Sequence, residues 1–437
     1  MSPTPSTRPG PAPPPRLLVE NATCVACGCL CDDIALGVEQ GRIVEARHAC
    51  AIGRRWFLAD HGPGDAPPAA IEGRPVEPAE AVARAAEILR AARAPVVLGL
   101  TATTTEAVGQ ALALADRIGA VVDPGAAEAA NARLLAFQRV GRVSATLGEV
   151  KNRADVVVFW GVDPVATHPR HLERYSVEPI GRFVSGRRLV IVADAERTAT
   201  VDRADLFIQV APEARFETLW ALRALVRGVA LDPARTRRAT GLDIETLTNL
   251  ADHLKSARYG AFFHGEEAGG QADVEAALSL VRDLNRFTRF VILPMGAAGN
   301  AAGAEAILTW QSGFPASVSW ERGFPTSLPG ETSVEARLAR GEADAALIVG
   351  DPDATGLSEA ARLHLSELPR IAIGPRATGR DRGAAVALVS ATYSIDAPGT
   401  VMRVDGVTLP LRPPLAATVP TDREWLRAIL DRILLED

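Results

Sequence analysis

The chain has 437 residues, of which 47% are hydrophobic and 23% are charged, a globular composition with enough core for about two to three domains. No apolar run is long enough for a membrane-spanning helix, so a helical membrane protein is excluded. The net charge of −6 argues against bulk attraction to nucleic acid or anionic lipid.

Residues 1–16, MSPTPSTRPGPAPPPR, are rich in proline and are expected to form an extended, disordered tail. They lack the apolar segment of a secretory signal. A cytoplasmic location is therefore expected, with thiols kept reduced.

All five cysteines lie within the first fifty residues. Four of them form the pattern C-x2-C-x3-C-x18-C, which consists of Cys24, Cys27, Cys31 and Cys50. Cys29 lies between these candidate ligands and is expected to point away from them. The x2 and x3 spacings favour an iron–sulfur cluster over zinc, since zinc sites more often pair two C-x2-C knuckles. A cysteine cluster without metal also remains open.

The segment around residues 34–47 alternates in polarity on both sides of Gly41, which predicts a hairpin with a glycine turn. A linker of glycine and proline follows it. Beyond the linker, helices at 79–92 and 104–118 alternate with short apolar strands at 95–100 and 120–122. This rhythm predicts parallel sheets with crossover helices.

Two later segments form a weak internal repeat. Residues 154–164, ADVVVFWGVDP, and 343–352, ADAALIVGDP, are apolar strands that end in glycine and Asp-Pro. Each precedes a helix, a second strand (189–198 or 370–378) and a third apolar segment. Two doubly wound halves are predicted, with ligands outside the carboxyl ends of the strands. The alternative is that these turns only terminate strands.

The histidines and glycine-rich segments are weaker signals. His168 and His171 follow the first repeat turn, where they either meet a phosphate or begin a helix. His264 ends a strand-like segment and is expected to be structural. The segment GAAGNAAG at 296–303 is weak evidence for phosphate binding, and no nucleophile elbow, Walker loop or His-Glu-x-x-His pair occurs.

Longer segments resemble the B subunit of formylmethanofuran dehydrogenase, within the molybdopterin oxidoreductase superfamily. They are the cysteine segment from residue 20, GEVKNRADVVVFWGVDPVATHPRH at 148–171, GFPASVSWERGFPTSLPGET at 313–332 and GTVMRVDGV at 399–407. The resemblance covers nearly the whole chain after the tail.

The resemblance implies an α/β fold of the molybdopterin-oxidoreductase type, with a small N-terminal Cys-rich domain and two doubly wound α/β domains. Residues 17–62 are expected to form the N-terminal iron–sulfur-type domain. Residues 63–135 and 290–437 are expected to form a discontinuous α/β domain, and residues 136–289 the second α/β domain.

The family contains two kinds of B subunit. In methanogens this protein holds a 4Fe–4S cluster and a tungsten or molybdenum bis-pterin centre that reduces carbon dioxide to formate. In methylotrophic bacteria it is part of a formyltransferase/hydrolase complex, whose reactions leave the oxidation state of the carbon unchanged. The resemblance places the metal-ligating cysteine at Ala129, its neighbouring histidine at Ala130 and an active-centre arginine at Gly296. The redox centre is therefore expected to be dismantled, and no catalytic residue is predicted.

Residue by residue, the resemblance implies two sets of cofactor positions. The cluster ligands are Cys24, Cys27, Cys31 and Cys50, and the pterin-dinucleotide positions are Gly161, Asp163, Asp194, Gly350 and Asp351. A carboxylate beyond a strand end can accept both N–H groups of a guanine edge. Neither molybdopterin guanine dinucleotide nor tungsten or molybdenum is expected to be bound.

The predicted function is that of a non-catalytic scaffold, the B subunit of a formyltransferase/hydrolase complex in tetrahydromethanopterin-linked one-carbon oxidation to formate. Its expected partners are the A, C and D subunits, which handle methanofuran or methylofuran; no nucleic acid or membrane partner is expected. One alternative is an active tungsten or molybdenum-pterin formylmethanofuran dehydrogenase, which leaves enzymatic activity open. The other is a stand-alone iron–sulfur protein for electron transfer or redox sensing.

Overall fold

The computed structural model describes residues 17–61, 67–125, 127–178, 180–184, 186–265, 270–296, 298–350, 356–380 and 383–435, with the backbone alone at 127–129 and 379–380. The proline-rich tail and Asp351 lie outside these residues, so the predictions for them stay predictions. No helix within the described ranges is both long and apolar enough to cross a membrane.

Short strands alternate with helices along most of the chain. The strands are β1 (Leu17–Ala22), β2 (Ile34–Glu39), β3 (Arg42–Arg47), β4 (Ala69–Ile71), β5 (Arg74–Pro75), β6 (Pro95–Gly99), β7 (Val121–Asp123), β8 (Val156–Trp160), β9 (Leu189–Asp194), β10 (Leu206–Gln209), β11 (Tyr259–Gly265), β12 (Arg289–Met295), β13 (Val318–Ser319), β14 (Thr326–Ser327), β15 (Ala345–Val349), β16 (Arg370–Gly374), β17 (Val386–Val389), β18 (Gly399–Met402) and β19 (Thr408–Leu411).

The α-helices lie between these strands. They are α1 (Ala51–Phe57), α2 (Pro78–Ala91), α3 (Thr105–Ile118), α4 (Ala127–Val140), α5 (Leu147–Arg153), α6 (Pro164–Thr167), α7 (Arg215–Val226), α8 (Pro233–Thr240), α9 (Ile244–Ser256), α10 (Gln271–Leu284), α11 (Ala301–Ser312), α12 (Val334–Ala339), α13 (Glu359–Glu367), α14 (Ala377–Arg380) and α15 (Asp422–Leu435). A π-helical turn spans Leu172–Ser176, and 3₁₀ turns span Ala199–Arg203 and Pro212–Ala214.

The N-terminal unit is an antiparallel sheet in the order β1-β2-β3, followed by α1. Gln40 and Gly41 join β2 to β3 with positive φ angles of 50° and 73°. Two consecutive residues of this kind match the right-handed twist of a hairpin. The hairpin predicted from the alternation is therefore confirmed.

A sheet of nine strands runs in the order β14-β13-β7-β6-β15-β16-β17-β4-β5. Its five central strands are parallel, and the outer strands on each side pair antiparallel. The chain moves from β6 to β7 on one side and from β15 to β17 on the other. The change of direction between β6 and β15 is a switch point, where open α/β sheets bind ligands.

The second sheet is fully parallel, in the order β10-β9-β8-β11-β12. The chain passes from β8 to β10 in one direction and then returns to β11 and β12 on the other side. The carboxyl end of β8 is therefore the switch point of this sheet.

The two repeat strands, β8 and β15, belong to different sheets. The strand β12 belongs to the five-stranded sheet, so the boundary predicted at residue 290 falls inside this strand. The division into domains itself stays a prediction.

The N-terminal unit packs against one face of the five-stranded sheet. A single buried cluster contains Cys31, Ile34 and Phe57 from the unit together with Phe159 and Phe263 from β8 and β11. The cysteine loop is therefore anchored by apolar contacts to the body of the protein.

Candidate cofactor site

The cysteine loop connects β1 to β2, and the fourth predicted ligand comes from the start of α1. The backbone N–H of Cys24 donates to the carbonyl of Cys31 at 2.8 Å, which closes the loop. Cys50 caps α1, and its Sγ accepts from the N–H of Gly53 at 3.5 Å. The sulfur of Cys24 is close enough to those of Cys27, Cys31 and Cys50 to interact electrostatically. The fold thus brings the four predicted ligands together.

Gly53 preserves space between two of these thiols. A β-carbon at this position would lie 3.0 Å from Sγ of Cys24 and 3.8 Å from Sγ of Cys50. Since a 3.0 Å contact is shorter than packed side chains make, any larger residue would intrude between the two sulfurs. The glycine is therefore explained by close approach.

Burial controls the protonation of the loop thiols. Removal from water raises the pKa of Cys24 far above its ordinary value. Burial also raises the pKa of Cys31, although the guanidinium groups of Arg174 and Arg170 act in the opposite direction. Thiolates at these positions need further positive charge, which a metal cluster supplies.

Cys29 does not point away from the candidate ligands, and that prediction is wrong. Its thiol is hydrogen-bonded to Cys27, an interaction that lowers the pKa of Cys27 and raises the pKa of Cys29. Cys29 is buried in the same cluster as Cys24 and Cys31. The prediction assumed alternating side-chain directions, which hold for strands and not for a folded-back loop.

Two arginines connect this part of the chain to the cysteine loop: Arg170 of the HPRH segment (residues 168–171) and Arg174 of the π-helical turn that follows it. Arg170 forms a two-pronged pair with Asp33, with bonds of 2.7 and 2.8 Å from its two terminal nitrogens. Arg174 donates to Asp32 at 3.0 Å and lies beside Cys31. Such paired bonds fix orientation as well as charge. The HPRH segment therefore positions the loop, a role that its sequence did not indicate.

These features fit the iron–sulfur cluster that the resemblance implies. Gly53 leaves room beside the sulfurs of Cys24 and Cys50, the thiols of Cys27 and Cys31 lie near that of Cys24, and two guanidinium groups can balance the charge of a thiolate-bound cluster. Within the part of the chain that the structure describes, no three His, Cys, Asp or Glu side chains converge as a site for a single metal ion.

Gly161 and Asp163 follow β8, at the switch point of the five-stranded sheet. Gly161 has a φ of 59°, and its carbonyl oxygen lies 2.6 Å from where a β-carbon of Gly265 would be. The Asp163 carboxylate accepts a hydrogen bond from the hydroxyl of Thr200, which itself accepts from the N–H of Val165 at 3.2 Å. The carboxylate of Asp163 is therefore already engaged within the protein.

Asp194 ends the adjacent strand β9. Its carboxylate accepts from the N–H of Ala195 at 2.7 Å and lies 3.9 Å from Nη2 of Arg215. The side chain is 14% exposed. Asp163 and Asp194 thus lie at the carboxyl edge of one sheet, as predicted, but both have partners there.

Gly350 directly follows β15, at the switch point of the nine-stranded sheet. It has a φ of 90°, and a β-carbon here would lie 3.0 Å from the β-carbon of Ala102. The repeat therefore places the two glycines at equivalent positions of two different sheets, and their position at the carboxyl ends agrees with the sequence pattern.

A cavity of about 500 Å³ lies between Gly350 and the cysteine loop. Its wall includes Val25 and Ala26 of the loop together with Arg55 and Arg376. Two cationic groups suit an anionic ligand such as a phosphate. The sequence did not indicate Arg55, which lies in α1, whereas Arg376 belongs to the second repeat segment at 370–378, just beyond the end of β16.

A second cavity of about 370 Å³ lies beside Gly296, where the resemblance places the missing arginine. Its wall includes Arg133, Arg142 and Glu305, and Arg133 contacts Glu305 at 2.5 Å. None of these three charged side chains offers a sulfur ligand for a metal, and none of them belongs to a sequence motif that predicted a site. The side chain of Ala129 lies outside the described residues, whereas Ala130 is buried.

No protein-family model matches the chain. It is 34% identical to the B subunit of the tungsten-containing formylmethanofuran dehydrogenase 2 of Methanocaldococcus jannaschii over 432 residues, which cover 95% of this chain and 98% of that protein. It is 27% identical to the B subunit of the formyltransferase/hydrolase complex Fhc of Methylorubrum extorquens over 279 residues, or 63% of this chain and 73% of that protein.

Solved structures show the same architecture. A chain of the formyltransferase/hydrolase complex FhcABCD from Methylorubrum extorquens, crystallised with methylofuran, superposes with a TM-score of 0.70 and 26% identity, over 84% of this chain and 99% of that chain. Acetylene hydratase from Pelobacter acetylenicus superposes with a TM-score of 0.60 at 10% identity, over 95% of this chain and 69% of that chain. The second similarity concerns the fold alone.

Proposed function

This chain belongs to the family of formylmethanofuran dehydrogenase B subunits, and we propose that it is a non-catalytic B subunit of a formyltransferase/hydrolase complex. In this role it holds together an amidohydrolase-like A subunit, a C subunit and a formyltransferase D subunit. The complex acts in the tetrahydromethanopterin-linked oxidation of one-carbon units to formate. Its partner subunits handle the methanofuran or methylofuran carrier.

The observation that carries this proposal is the set of residues at the former metal centre. Alanine stands at 129 and 130, where the family has a metal-ligating cysteine and a histidine, and Gly296 stands in place of an arginine. An alanine methyl cannot bind a soft metal, and no cysteine follows Cys50. The cavity beside Gly296 presents guanidinium and carboxylate groups instead. These residues do not fit tungsten or molybdenum, and no step is assigned to either metal.

Overall identity is a weaker guide than these positions. Identity to the tungsten enzyme of Methanocaldococcus jannaschii, 34%, exceeds the 27% to the Fhc protein of Methylorubrum extorquens. Overall identity reports the shared fold, whereas the chemistry depends on a few side chains at the site. Formyl transfer and hydrolysis need no redox centre, so a chain without one still serves the complex.

We also propose that Cys24, Cys27, Cys31 and Cys50 hold a 4Fe–4S cluster. Such a cluster supplies a one-electron redox centre when it is bound. In a protein without redox chemistry, its four bonds would connect the cysteine loop to the start of α1, so the role derived for these residues is structural.

The pterin-dinucleotide positions stay candidates, and we expect no dinucleotide there. Asp163 and Asp194 already accept hydrogen bonds from Thr200 and Ala195. A guanine edge would have to compete with these partners for the same carboxylates. A cytoplasmic location of the complex likewise remains a prediction.

The metal content and activity of the native complex test the proposed function. We expect the chain to co-purify with the A, C and D subunits, to lack tungsten and molybdenum, and to support no formate-dependent reduction of a viologen dye. A tungsten-containing formylmethanofuran dehydrogenase assayed in parallel is the positive control. Dye reduction that depends on tungsten or molybdenum would overturn the proposal, as would isolation of the chain as a stable monomer with a reversible redox couple.

Substitution of Gly53 tests the cluster. We expect Gly53→Ala to lower the iron content of anaerobically purified protein, because the added methyl group approaches the sulfurs of Cys24 and Cys50. Gly148→Ala is the matched control, since its nearest contact is an ordinary 3.7 Å to Oγ1 of Thr146. The cluster assignment fails if anaerobically prepared native protein contains no iron or if both variants retain equal iron.

A further inference from the structure

The amino-terminal edge of the five-stranded sheet carries an open groove of about 610 Å³. It lies where β11 and β12 begin, and its wall includes Arg153, Arg258, Arg286 and Arg289 together with the rings of Phe183 and Phe287. We call it the amino-edge groove. The strand β8 has five residues, so Gly161 at its carboxyl end lies roughly 16 Å from this edge, at ~3.3 Å per residue. The groove is therefore separate from the candidate cofactor site.

The groove concentrates positive charge on an acidic protein. Arg258, Arg286 and Arg289 are exposed, and no described residue forms an ion pair with any of them. Two carboxylates lie nearby: that of Glu149 is 3.6 Å from Arg153, and that of Asp155 accepts from the backbone N–H groups of Arg258 and Tyr259 at 3.0 to 3.1 Å. The four arginines therefore leave a local excess of positive charge. The chain as a whole carries a net charge of −6, so this local excess is not a general property of its surface.

Apolar side chains accompany these cations. Phe183 and Phe287 are 53% and 54% exposed. The guanidinium of Arg153 lies 4.6 Å from the ring centre of Phe183, and the ammonium of Lys255 lies 5.1 Å from that of Phe287. Arginine and aromatic residues together are enriched in the parts of interfaces that contribute most to binding.

The wall that carries Phe183 is held in place before any partner binds. Its N–H donates to the carbonyl of Asn152 at 2.9 Å, and the side chain of Asn152 accepts from the N–H of Arg182 at 3.3 Å. A β-carbon on Gly181 would lie 2.3 Å from the carbonyl oxygen of Lys151, so only glycine allows this close approach.

The wall that carries Phe287 is fixed as well. The side-chain amide of Asn285 donates to the carbonyls of Val281 and Phe290 at 2.8 and 2.7 Å. The hydroxyl of Thr288 donates to the carbonyl of Ala257. A preformed groove loses little conformational entropy when it is filled.

We propose that the amino-edge groove binds an extended, carboxylate-rich segment of a partner polypeptide. The exposed guanidinium groups form two-pronged bonds to glutamate or aspartate, and an apolar side chain of the same segment lies between the two phenylalanine rings. A polyphosphate strand is disfavoured because the chain as a whole carries a net charge of −6. The peptide-binding test of this groove does not depend on the proposed function, since it uses the chain alone and needs no catalytic assay; only the crosslinking test below rests on the proposed complex.

A labelled synthetic peptide of alternating glutamate and leucine, titrated with the full chain, tests the inference by fluorescence anisotropy. We expect saturable binding that weakens at high salt and is reduced at least about tenfold by Arg286→Glu with Arg289→Glu. The control is Arg322→Glu with Arg362→Glu, which makes the same charge change at exposed arginines elsewhere and should leave the affinity nearly unchanged. Thermal unfolding midpoints of all variants show whether each remains folded.

Equal weakening by the two pairs of substitutions would overturn the inference, because it would reveal a nonspecific charge effect. Absence of peptide binding, or groove-dependent binding of single-stranded nucleic acid or anionic vesicles without peptide binding, would do the same. In the assembled complex, a photo-crosslinking benzoylphenylalanine at position 287 should capture an Asp- or Glu-rich segment of another polypeptide of the complex. Capture of a basic segment there would contradict the proposal.

Discussion

His168, His171 and His264 are buried near the candidate site as neutral side chains. Burial lowers the pKa of His168 to about 4, that of His171 to about 3 and that of His264 to about 4. Nε2 of His168 donates to the carbonyl of Gly296 at 3.1 Å, and the ring of His171 lies edge-on to Phe263 with centroids 4.6 Å apart. Their burial favours a structural role, as predicted for His264.

The stability of the protein should therefore fall as the pH is lowered from about 6.5 to about 4. In this range the histidine is protonated in the unfolded chain but stays neutral when buried. The free energy of unfolding therefore decreases by about 1.4 kcal/mol per pH unit for each such histidine. We expect His171→Phe to remove one such contribution and flatten the pH dependence of the unfolding free energy, measured by urea denaturation.

The buried carboxyl groups of Asp123 and Asp422 oppose this trend. Burial raises the pKa of Asp123 to about 7 and that of Asp422 to about 6, so each stabilises the folded state at low pH and loses that effect as the pH rises. They are unchanged in His171→Phe, so only the difference from the native chain is informative. The control is His253→Gln at an exposed position, which should leave the slope of unfolding free energy against pH as in the native chain. If native protein and His171→Phe gave parallel plots of unfolding free energy against pH, the prediction would be contradicted.

At the scale of elements, the π-helical turn Leu172–Ser176 and the residues before it connect the five-stranded sheet to the cysteine loop. Arg170 and Arg174 reach from this segment to Asp33 and Asp32. The arginine side chains are 14% and 18% exposed, and the aspartates 39% and 42%. Solvent weakens such half-exposed pairs, so they act mainly by fixing geometry.

We expect Arg170→Gln to destabilise the protein by about 1 to 2 kcal/mol and to speed amide hydrogen exchange in residues 17–47, because it removes both bonds to Asp33. The matched control is Arg84→Gln, which breaks an exposed pair with Glu87 and should cost less than about 0.5 kcal/mol. Exchange that rises equally in both variants would show that the Arg170 pair has no special role.

At the scale of the whole molecule, buried clusters rather than chain order decide which parts unfold together. The N-terminal unit shares one cluster with the five-stranded sheet, whereas the nine-stranded sheet packs with α2, α3 and α15 around another. Cooperative units generally coincide with such continuous cores.

Phe57→Ala should therefore lower the protection of amides in β2 and β11 together, at a cost of about 3 to 5 kcal/mol, since Phe57 is fully buried in the shared cluster. Leu112→Ala removes a buried side chain from the other cluster and should mainly affect the nine-stranded sheet. Hydrogen exchange in denaturant measures both. Loss of protection in β2 without loss in β11 would show that the N-terminal unit unfolds independently.

The sequence by itself determined the elements, the repeat and the cysteine pattern, because periodicity and turn chemistry are local. The strands at 95–99 and 345–349 and the hairpin at Gly41 follow from neighbouring residues. The expectation that a metal ligand is missing at Ala129 likewise comes from the motifs that resemble the family. Only the tertiary structure decided that Cys29 contacts Cys27 and that Gly53 leaves room beside the sulfurs of Cys24 and Cys50.

The amino-edge groove shows why some sites are visible only in the tertiary structure. Arg153, Phe183, Arg258 and Phe287 are distant in the chain and are neighbours only because β8, β11 and β12 lie side by side. Sheet order is set by the packing of whole elements, so no local pattern can report such a grouping. The net charge of −6 gave no sign of this basic groove, because its arginines come together only through the order of the strands in the sheet.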